Sequence, residues 1–207
     1  MMSLARPSLS ALLVLADLCL QLGRVDRATL HPDGVRPESD TDHTVMLAVI
    51  ACALAERHPE LGLDLGLVAQ LAVVHDLVEA HAGDVDTFGG DAASRAAKEA
   101  RERRAQERIA TDCAAWPWLN TAIETYERQA LPEARFVRLL DKLCPRLTNV
   151  LNGGAAIRAR GMDQTASVAH DRALIAGLAV QYPEFEGVVG PLLREAADAS
   201  ARAWRQP

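Results

Sequence analysis

Apolar residues recur three to four positions apart along most of this chain, which is the spacing of helices with one buried face. The runs begin after polar capping residues and end near glycine or proline, the usual boundaries of α-helices. Because no alternating strand pattern, internal repeat or long linker is found, we predict an all-α fold with a single domain over 1–207. The predicted helices cover about 8–22, 41–58, 64–80, 91–112, 118–129, 132–152, 165–181 and 184–204.

Two places depart from the helical pattern. Residues 23–39 contain several proline and glycine breakers, and we predict an irregular connection there. Pro145 lies inside the predicted helix 132–152. Since proline lacks a backbone donor and its ring clashes with the preceding turn, Pro145 should kink this helix or split it in two.

Composition narrows the class of protein. Hydrophobic residues make up 49% of the chain but aromatic residues only 4%, so a core of Leu, Ala and Val is expected, which favours helices. The formal net charge of −6 argues against a broad nucleic-acid-binding surface. Four cysteines without CxxC spacing predict a reducing compartment, and we expect a cytoplasmic protein. The apolar stretch 9–22 contains Asp17 and is too short to span a bilayer, so no membrane is predicted.

Four polar side chains interrupt helices that should be apolar. His43 lies in DTDHTVMLAVIACALAE, His75 and Asp76 end the apolar run LAVV, and Asp141 lies in EARFVRLLDKL. Each alone would more often be a core histidine or a surface ion pair, but burying all of them without partners would be costly. Two imidazoles and two carboxylates suit a divalent cation held between core helices. We predict one such ion, with Co²⁺, Mn²⁺, Mg²⁺, Zn²⁺, Ni²⁺ and Fe²⁺ as candidates.

Glu79 belongs to the same predicted helix. It follows His75 by four positions and Asp76 by three, so on a helix it faces the same pocket. A buried carboxylate beside a cation is suited to accept a proton from an attacking water molecule. We therefore predict Glu79 as the catalytic residue.

Four strings around these residues resemble motifs of the HD-domain metal-dependent phosphohydrolases, in particular the 5′-deoxynucleotidase type. The resemblance covers about 22–152 and is specific in the order and spacing of the motifs. The strings are PESDTDHTVMLA (37–48), HDLVEAHAGDV (75–85), KEARERRA (98–105) and YERQALPEARFVRLLDKL (126–143).

This resemblance implies a helical HD-domain fold, one divalent metal per subunit and a homodimer. The C-terminal helices, about 165–204, are then expected to pack on the HD domain or extend it. The activity implied is hydrolysis of a phosphomonoester, with a (deoxy)ribonucleoside 5′-monophosphate as substrate. The metal ligands implied are His43, His75, Asp76 and Asp141.

The resemblance also implies roles for residues that contact the substrate or water. Glu79 would position or deprotonate the attacking water, and Asp84 would contact the sugar hydroxyl. An arginine ahead of the first ligand would hold the phosphate; Arg24 and Arg27 are the candidates, and Arg24 is the better placed by its position after the first helix. A planar guanidinium suits this role because it can bond two phosphate oxygens.

Two other functions remain open from the sequence. The chain could be a phosphohydrolase that acts on another small phosphate or on a nucleotide polyphosphate. It could also be a non-catalytic module that binds metal or nucleotide. Glu79 favours an enzyme, because a module that only binds would not need this carboxylate.

Overall fold

The computed structural model describes residues 8–84, 92–161 and 163–203, and these parts of the chain are almost entirely helical. The prediction of an all-α fold is confirmed. The helices are α1 (Leu9–Leu22), α2 (Asp40–Arg57), α3 (Leu65–Val74), α4 (Glu79–Ala82), α5 (Ala92–Asp112), α6 (Pro117–Arg128), α7 (Pro132–Leu151), α8 (Ala155–Ala159), α9 (Gln164–Gln181) and α10 (Val189–Ala203).

The connection between α1 and α2 contains a small antiparallel sheet, so the prediction of an irregular segment over 23–39 is wrong. Strand β1 (Asp26–Leu30) pairs with β2 (Pro37–Ser39). The turn between them includes Gly34 at φ +72°, a backbone conformation that glycine adopts without strain. Strands this short contain too few residues to show an alternating apolar and polar pattern. Their pairing depends instead on the turn and on neighbouring helices.

The predicted helix 64–80 is interrupted. Asp64 caps α3 by accepting a hydrogen bond from the backbone of Leu67, and α3 then ends at Val74. A tight turn follows before α4 begins at Glu79, and Gly83 at φ +73° directs the chain away from α4. The turn between α3 and α4 contains the His-Asp pair.

Helix α7 runs through Pro145 as one helix, so the split that was one of the two predicted outcomes is wrong, and the kink stays a prediction. Proline removes the bond that its backbone would have donated to the carbonyl of Asp141, four residues earlier. Burial of one long face compensates for this loss, because α7 contributes Phe136, Leu140 and Cys144 to the core.

Two apolar cores meet at α3. The larger core packs α2, α3 and α7 together with the C-terminal helices α9 and α10. The smaller core joins α1 and α4–α6 to the last residue of α3, Val74. The polar residues that follow Val74 therefore lie where the two cores adjoin.

One stretch of the described chain, Leu65–Ala82, is apolar and long enough to cross a membrane by composition alone, and 44% of it is buried within the fold. It is not one continuous helix, because α3 ends at Val74. A single stretch of this kind is weak evidence for a membrane span, since a core helix has the same composition.

Candidate metal centre

The first ligand candidate lies in the first turn of α2. Ser39 and Asp42 form a capping box there: the Ser39 side chain accepts from the backbone of Asp42, and Asp42 accepts from the backbone of Ser39. A cap of this kind contributes about 1 kcal/mol to the stability of a helix. It fixes the start of α2, so that His43 lies fully buried on the inner face.

The four residues predicted as ligands lie together; we call them the His–Asp cluster (His43, His75, Asp76 and Asp141). One nitrogen or oxygen atom from each lies within 4.8 Å of the others. His43 Nε2 is 3.0 Å from Asp141 Oδ1, and His75 Nε2 is 2.9 Å from Asp76 Oδ2. The two diagonal pairs, His43 with Asp76 and His75 with Asp141, are both 3.9 Å apart.

These distances fit a divalent cation. Metal bonds of about 2.0–2.2 Å place neighbouring ligand atoms roughly 3–3.6 Å apart. His75 Nδ1 is 2.8 Å from the carbonyl of Ala72, which fixes the proton on that nitrogen and leaves Nε2 as a lone-pair donor. Among the described residues, Nε2 is buried and makes no well-aligned hydrogen bond, although Asp76 Oδ2 lies 2.9 Å away, so this nitrogen is available to a metal. The donor set therefore fits the ion that the sequence implies.

Charge in the cluster favours the ionised carboxylates. Burial alone raises the pKa of Asp76, but the charges of His75 and Arg27 outweigh it, and the pKa falls below its usual value. Burial also raises the pKa of Asp141, and Lys142 with the two histidines reverses the effect. Both aspartates are therefore available as anionic ligands.

A second group of acids lies beside the first; we call it the carboxylate cluster (Asp40, Glu79 and Asp84). Oxygens of these three side chains lie within 4.8 Å of one another. Burial, followed by the charge of Asp76 and of the other two carboxylates, raises the pKa of Glu79 to about 10. One oxygen of Glu79 and one of Asp40 are buried without a hydrogen-bond partner. A cation in the adjacent cluster would lower this pKa by attraction.

Arg27, on β1, joins the two clusters. Its Nη1 donates to Asp40 Oδ1 at 2.8 Å and to Asp76 Oδ2 at 2.9 Å. Arg24 is exposed and does not line the cavity around the clusters, whereas Arg27 does. The geometry thus favours Arg27 as the phosphate-binding candidate, the reverse of the preference drawn from the sequence.

A cavity of about 310 Å³ opens onto both clusters. Its walls come from β1, the turn that follows α3, and helices α4 to α7. Asp84 lies on this wall, as a residue that contacts the substrate would. The charged residues of the wall are Arg27, Asp76, Glu79, Asp84, Lys98, Glu102, Glu127, Arg138, Asp141, Lys142 and Arg160, with His75 beside them.

Sequence reasoning gave no role in the site to two residues that the structure places beside it, Asp40 and Lys142. Asp40 is fully buried against Arg27. Its position three residues before His43, on the same helical face, was a usable signal. Lys142 follows a predicted metal ligand directly in the sequence and lines the cavity.

Comparison with known proteins agrees with this geometry. Residues 19–179 match the model of the HD domain family. The chain belongs to the HD domain family.

Similarity extends to named relatives. The chain is 32% identical over 138 residues to human 5′-deoxynucleotidase HDDC2, which covers 64% of this chain and 63% of that protein. It is also 32% identical over 126 residues to the zebrafish (Danio rerio) protein of the same name, covering 59% of this chain and 60% of that protein. The match thus spans about three fifths of the length of these curated relatives.

Solved structures share the fold over a greater length. A protein described as a predicted metal-dependent phosphohydrolase, from Magnetospirillum magnetotacticum MS-1, superposes with a TM-score of 0.69 at 27% identity, covering 94% of this chain and 97% of that one. A conserved hypothetical protein from Pyrococcus furiosus superposes with a TM-score of 0.55 at 22% identity, which supports the fold alone.

Proposed function

We propose that this chain is a metal-dependent phosphomonoester hydrolase that releases phosphate from (deoxy)ribonucleoside 5′-monophosphates. One observation carries the proposal: the His–Asp cluster, Glu79 and Arg27 adjoin one cavity. This combination offers a cation site, a proton acceptor and a phosphate-binding cation. The names of the human and zebrafish relatives support the nucleotide as substrate.

The His–Asp cluster would hold the ion, with two imidazole nitrogens and two carboxylates as ligands. When bound, a divalent cation supplies Lewis acidity, which polarises a phosphate oxygen and makes a water molecule easier to deprotonate. We infer that one ion binds per subunit. Carboxylate and imidazole together suit Mn²⁺, Co²⁺, Fe²⁺, Ni²⁺ and Zn²⁺, and less readily Mg²⁺.

Three residues of the chain act on water and substrate in this proposal. Glu79 accepts the proton of the attacking water at a carboxylate oxygen. Arg27 donates hydrogen bonds to phosphate oxygens from guanidinium nitrogens other than Nη1, which is already shared between Asp40 and Asp76. Asp84 accepts a hydrogen bond from the sugar hydroxyl. The substrate phosphate is thereby placed between β1 and the turn that follows α3.

We also infer that the chain forms one domain over 1–207, acts in the cytoplasm and assembles as a homodimer. The packing of α10 on α7 supports a single domain. Val45 and Val49 lie one turn apart on α2 and are 58% and 64% exposed, so this face of α2 would supply apolar area to a dimer interface. Light scattering of the purified full chain tests the dimer, and a mass of one subunit at micromolar concentration would contradict it.

Phosphate release from a substrate panel tests the activity. The protein is treated with a chelator, and Co²⁺, Mn²⁺, Mg²⁺ or Zn²⁺ is then restored. The panel contains deoxyribo- and ribonucleoside 5′-monophosphates, a nucleoside triphosphate and p-nitrophenyl phosphate. We expect metal-dependent release, with deoxyribonucleoside monophosphates among the best substrates.

Two controls make the result specific: each metal without protein, and the chelated protein without metal. Release only from the triphosphate would move the assignment to a nucleotide polyphosphate hydrolase. No release from any ester, by protein shown to bind a metal, would contradict the hydrolase.

A further inference from the structure

Lysine is nearly absent from this chain. Of the 22 Lys and Arg residues, only Lys98 and Lys142 are lysines, and all the others are arginines. Both lysines line the cavity of the metal centre. An ammonium group is a compact point charge, whereas guanidinium is broad and planar, so the two are not interchangeable at a confined site. Both lysines of the chain therefore lie at the cavity of the metal centre, where a compact cation fits.

The two ammonium groups have different surroundings. Lys98 Nζ is 3.7 Å from Glu79 Oε1 and 3.5 Å from Glu102 Oε1. Lys142 Nζ donates to Asp141 Oδ2 at 2.7 Å, and its side chain is 43% exposed. Lys98 therefore lies between two acids, while Lys142 lies beside a predicted metal ligand at a more open part of the wall.

Asp141 lies between the imidazoles and Lys142. Its Oδ1 atom faces His43 Nε2 at 3.0 Å, and its Oδ2 atom accepts from Lys142. An ammonium group has three donors, and only this one of Lys142 is used among the described residues. Two donors remain for a ligand in the cavity.

We propose that Lys142 binds a phosphate oxygen of the substrate, and so acts with Arg27 as a second cation of the chain at the reacting group. This inference rests on the proposed function. Arg27 approaches from β1 and Lys142 from α7, so the two cations reach the cavity from different walls. Cations placed around the transferred phosphoryl group stabilise its negative charge and accelerate the reaction, and Lys142 would contribute one such charge.

Binding of inorganic phosphate to the Mn²⁺-loaded protein tests this role without turnover. Calorimetry would compare the wild type with Lys142→Met and Lys142→Arg. We expect Lys142→Met to weaken phosphate binding about 10- to 100-fold, the usual effect of removing a charged hydrogen bond. Its Mn²⁺ affinity should stay equal or rise, because a cation beside Asp141 has been removed. The KM for a nucleoside monophosphate should rise in parallel.

Arg128→Met is the matched control, since this exposed arginine on α6 pairs with Glu124 and is not among the residues that line the cavity. Phosphate affinity within about twofold of the wild type in Lys142→Met would overturn the inference. Loss of Mn²⁺ binding in that variant would also overturn it, because Lys142 would then serve to position Asp141. If Lys142→Met does not fold, Lys142→Gln and Lys142→Arg provide the same comparison.

The two proposals can fail separately. A wild type that binds phosphate through Lys142, but releases none from any ester, contradicts the proposed function and supports the inference. A wild type that hydrolyses monophosphates, with phosphate affinity independent of Lys142, contradicts the inference alone.

Discussion

Two groups of acids lie side by side in this protein and both are largely buried, yet the pKa of Glu79 is shifted in the opposite direction to that of Asp76 and Asp141. In the His–Asp cluster, imidazoles and cations hold the carboxylates ionised, with the pKa of Asp76 and Asp141 below their usual values. In the carboxylate cluster, burial and like charges raise the pKa of Glu79 to about 10. Since burial raises the pKa in both groups, the neighbouring charges decide the direction.

The difference assigns complementary tasks to the two clusters. Carboxylates that stay ionised, next to imidazole nitrogens that can exchange a proton for a metal, suit ligation of a cation. A carboxylate with a high affinity for protons suits proton transfer once a cation nearby has lowered its pKa towards neutrality. Variants in the His–Asp cluster should therefore lose metal and activity together, whereas variants in the carboxylate cluster should lose turnover and keep the metal.

The largest effect is expected in the His–Asp cluster. His75→Ala removes a ligand, and metal content and activity should fall together. Because even the partners of ligands contribute about 10–100-fold, the loss of activity should exceed about 100-fold. Metal analysis of the purified variant, alongside phosphate release, measures both. His58→Ala, at the exposed end of α2, is the control and should leave both unchanged.

In the carboxylate cluster, activity should separate from metal binding. Glu79→Gln removes the proton acceptor but no predicted ligand, so turnover should fall about 10²–10⁴-fold while the metal is retained. Steady-state kinetics and metal analysis of the same sample test this. Glu107→Gln, an exposed glutamate on α5, is the matched control. Turnover near that of the wild type would exclude proton transfer by Glu79.

Sequence patterns anticipated the His–Asp cluster because each residue interrupts an apolar helical run. His43 and Asp141 lie in helices whose bounds the structure changes by only one or two residues. Glu79 was found by a spacing that assumed one helix over 64–80, whereas the chain turns after Val74. The turn is tight, with the backbone of Glu79 bonded to the carbonyl of Asp76, so the two side chains stay close.

The region before α2 could not be predicted in the same way. Its strands are too short to show periodicity, and their pairing places Arg27 at the cavity while Arg24 stays exposed. The burial of Asp40 depends on that same strand. The periodicity of a single helix does not predict the environment of residues such as Arg27 and Asp40, because the pairing of the two strands determines it.

Arg27 contacts both clusters, so its removal tests substrate binding at the point where they meet. Arg27→Ala should raise the KM for a nucleoside monophosphate about 10- to 100-fold, as expected for loss of a charged hydrogen bond. Arg24→Ala is its natural control and should change KM less than about twofold. Equal effects in the two variants, or an effect in Arg24→Ala alone, would contradict the assignment to Arg27.

A smaller effect is expected at Asp84. Asp84→Ala should lower kcat/KM for a deoxyribonucleoside monophosphate relative to p-nitrophenyl phosphate by about tenfold, the value of one hydrogen bond to a charged group. The ratio is measured because p-nitrophenyl phosphate has no sugar, so changes in Glu79 cancel. An unchanged ratio would remove Asp84 from sugar recognition.

The smallest effect concerns stability without metal. Glu79 binds a proton in the folded protein up to about pH 10, but in the unfolded chain only below about pH 4.5. Between these values the folded state holds the extra proton, so raising the pH costs folded stability. Glu79→Gln removes this cost, and its melting temperature with chelator should exceed that of the wild type by at least about 2 °C at pH 8.

The pH dependence separates this cause from a general effect of the substitution. The difference in melting temperature between Glu79→Gln and the wild type should widen from pH 5 to pH 9. Over this range the folded wild type loses stability as the pH rises, whereas glutamine does not titrate. Metal should narrow the gap, since a cation stabilises the ionised glutamate and not the amide. A gap that stays constant with pH would mean that neither burial nor the neighbouring acids raise the pKa of Glu79, and the contrast between the two clusters would then disappear.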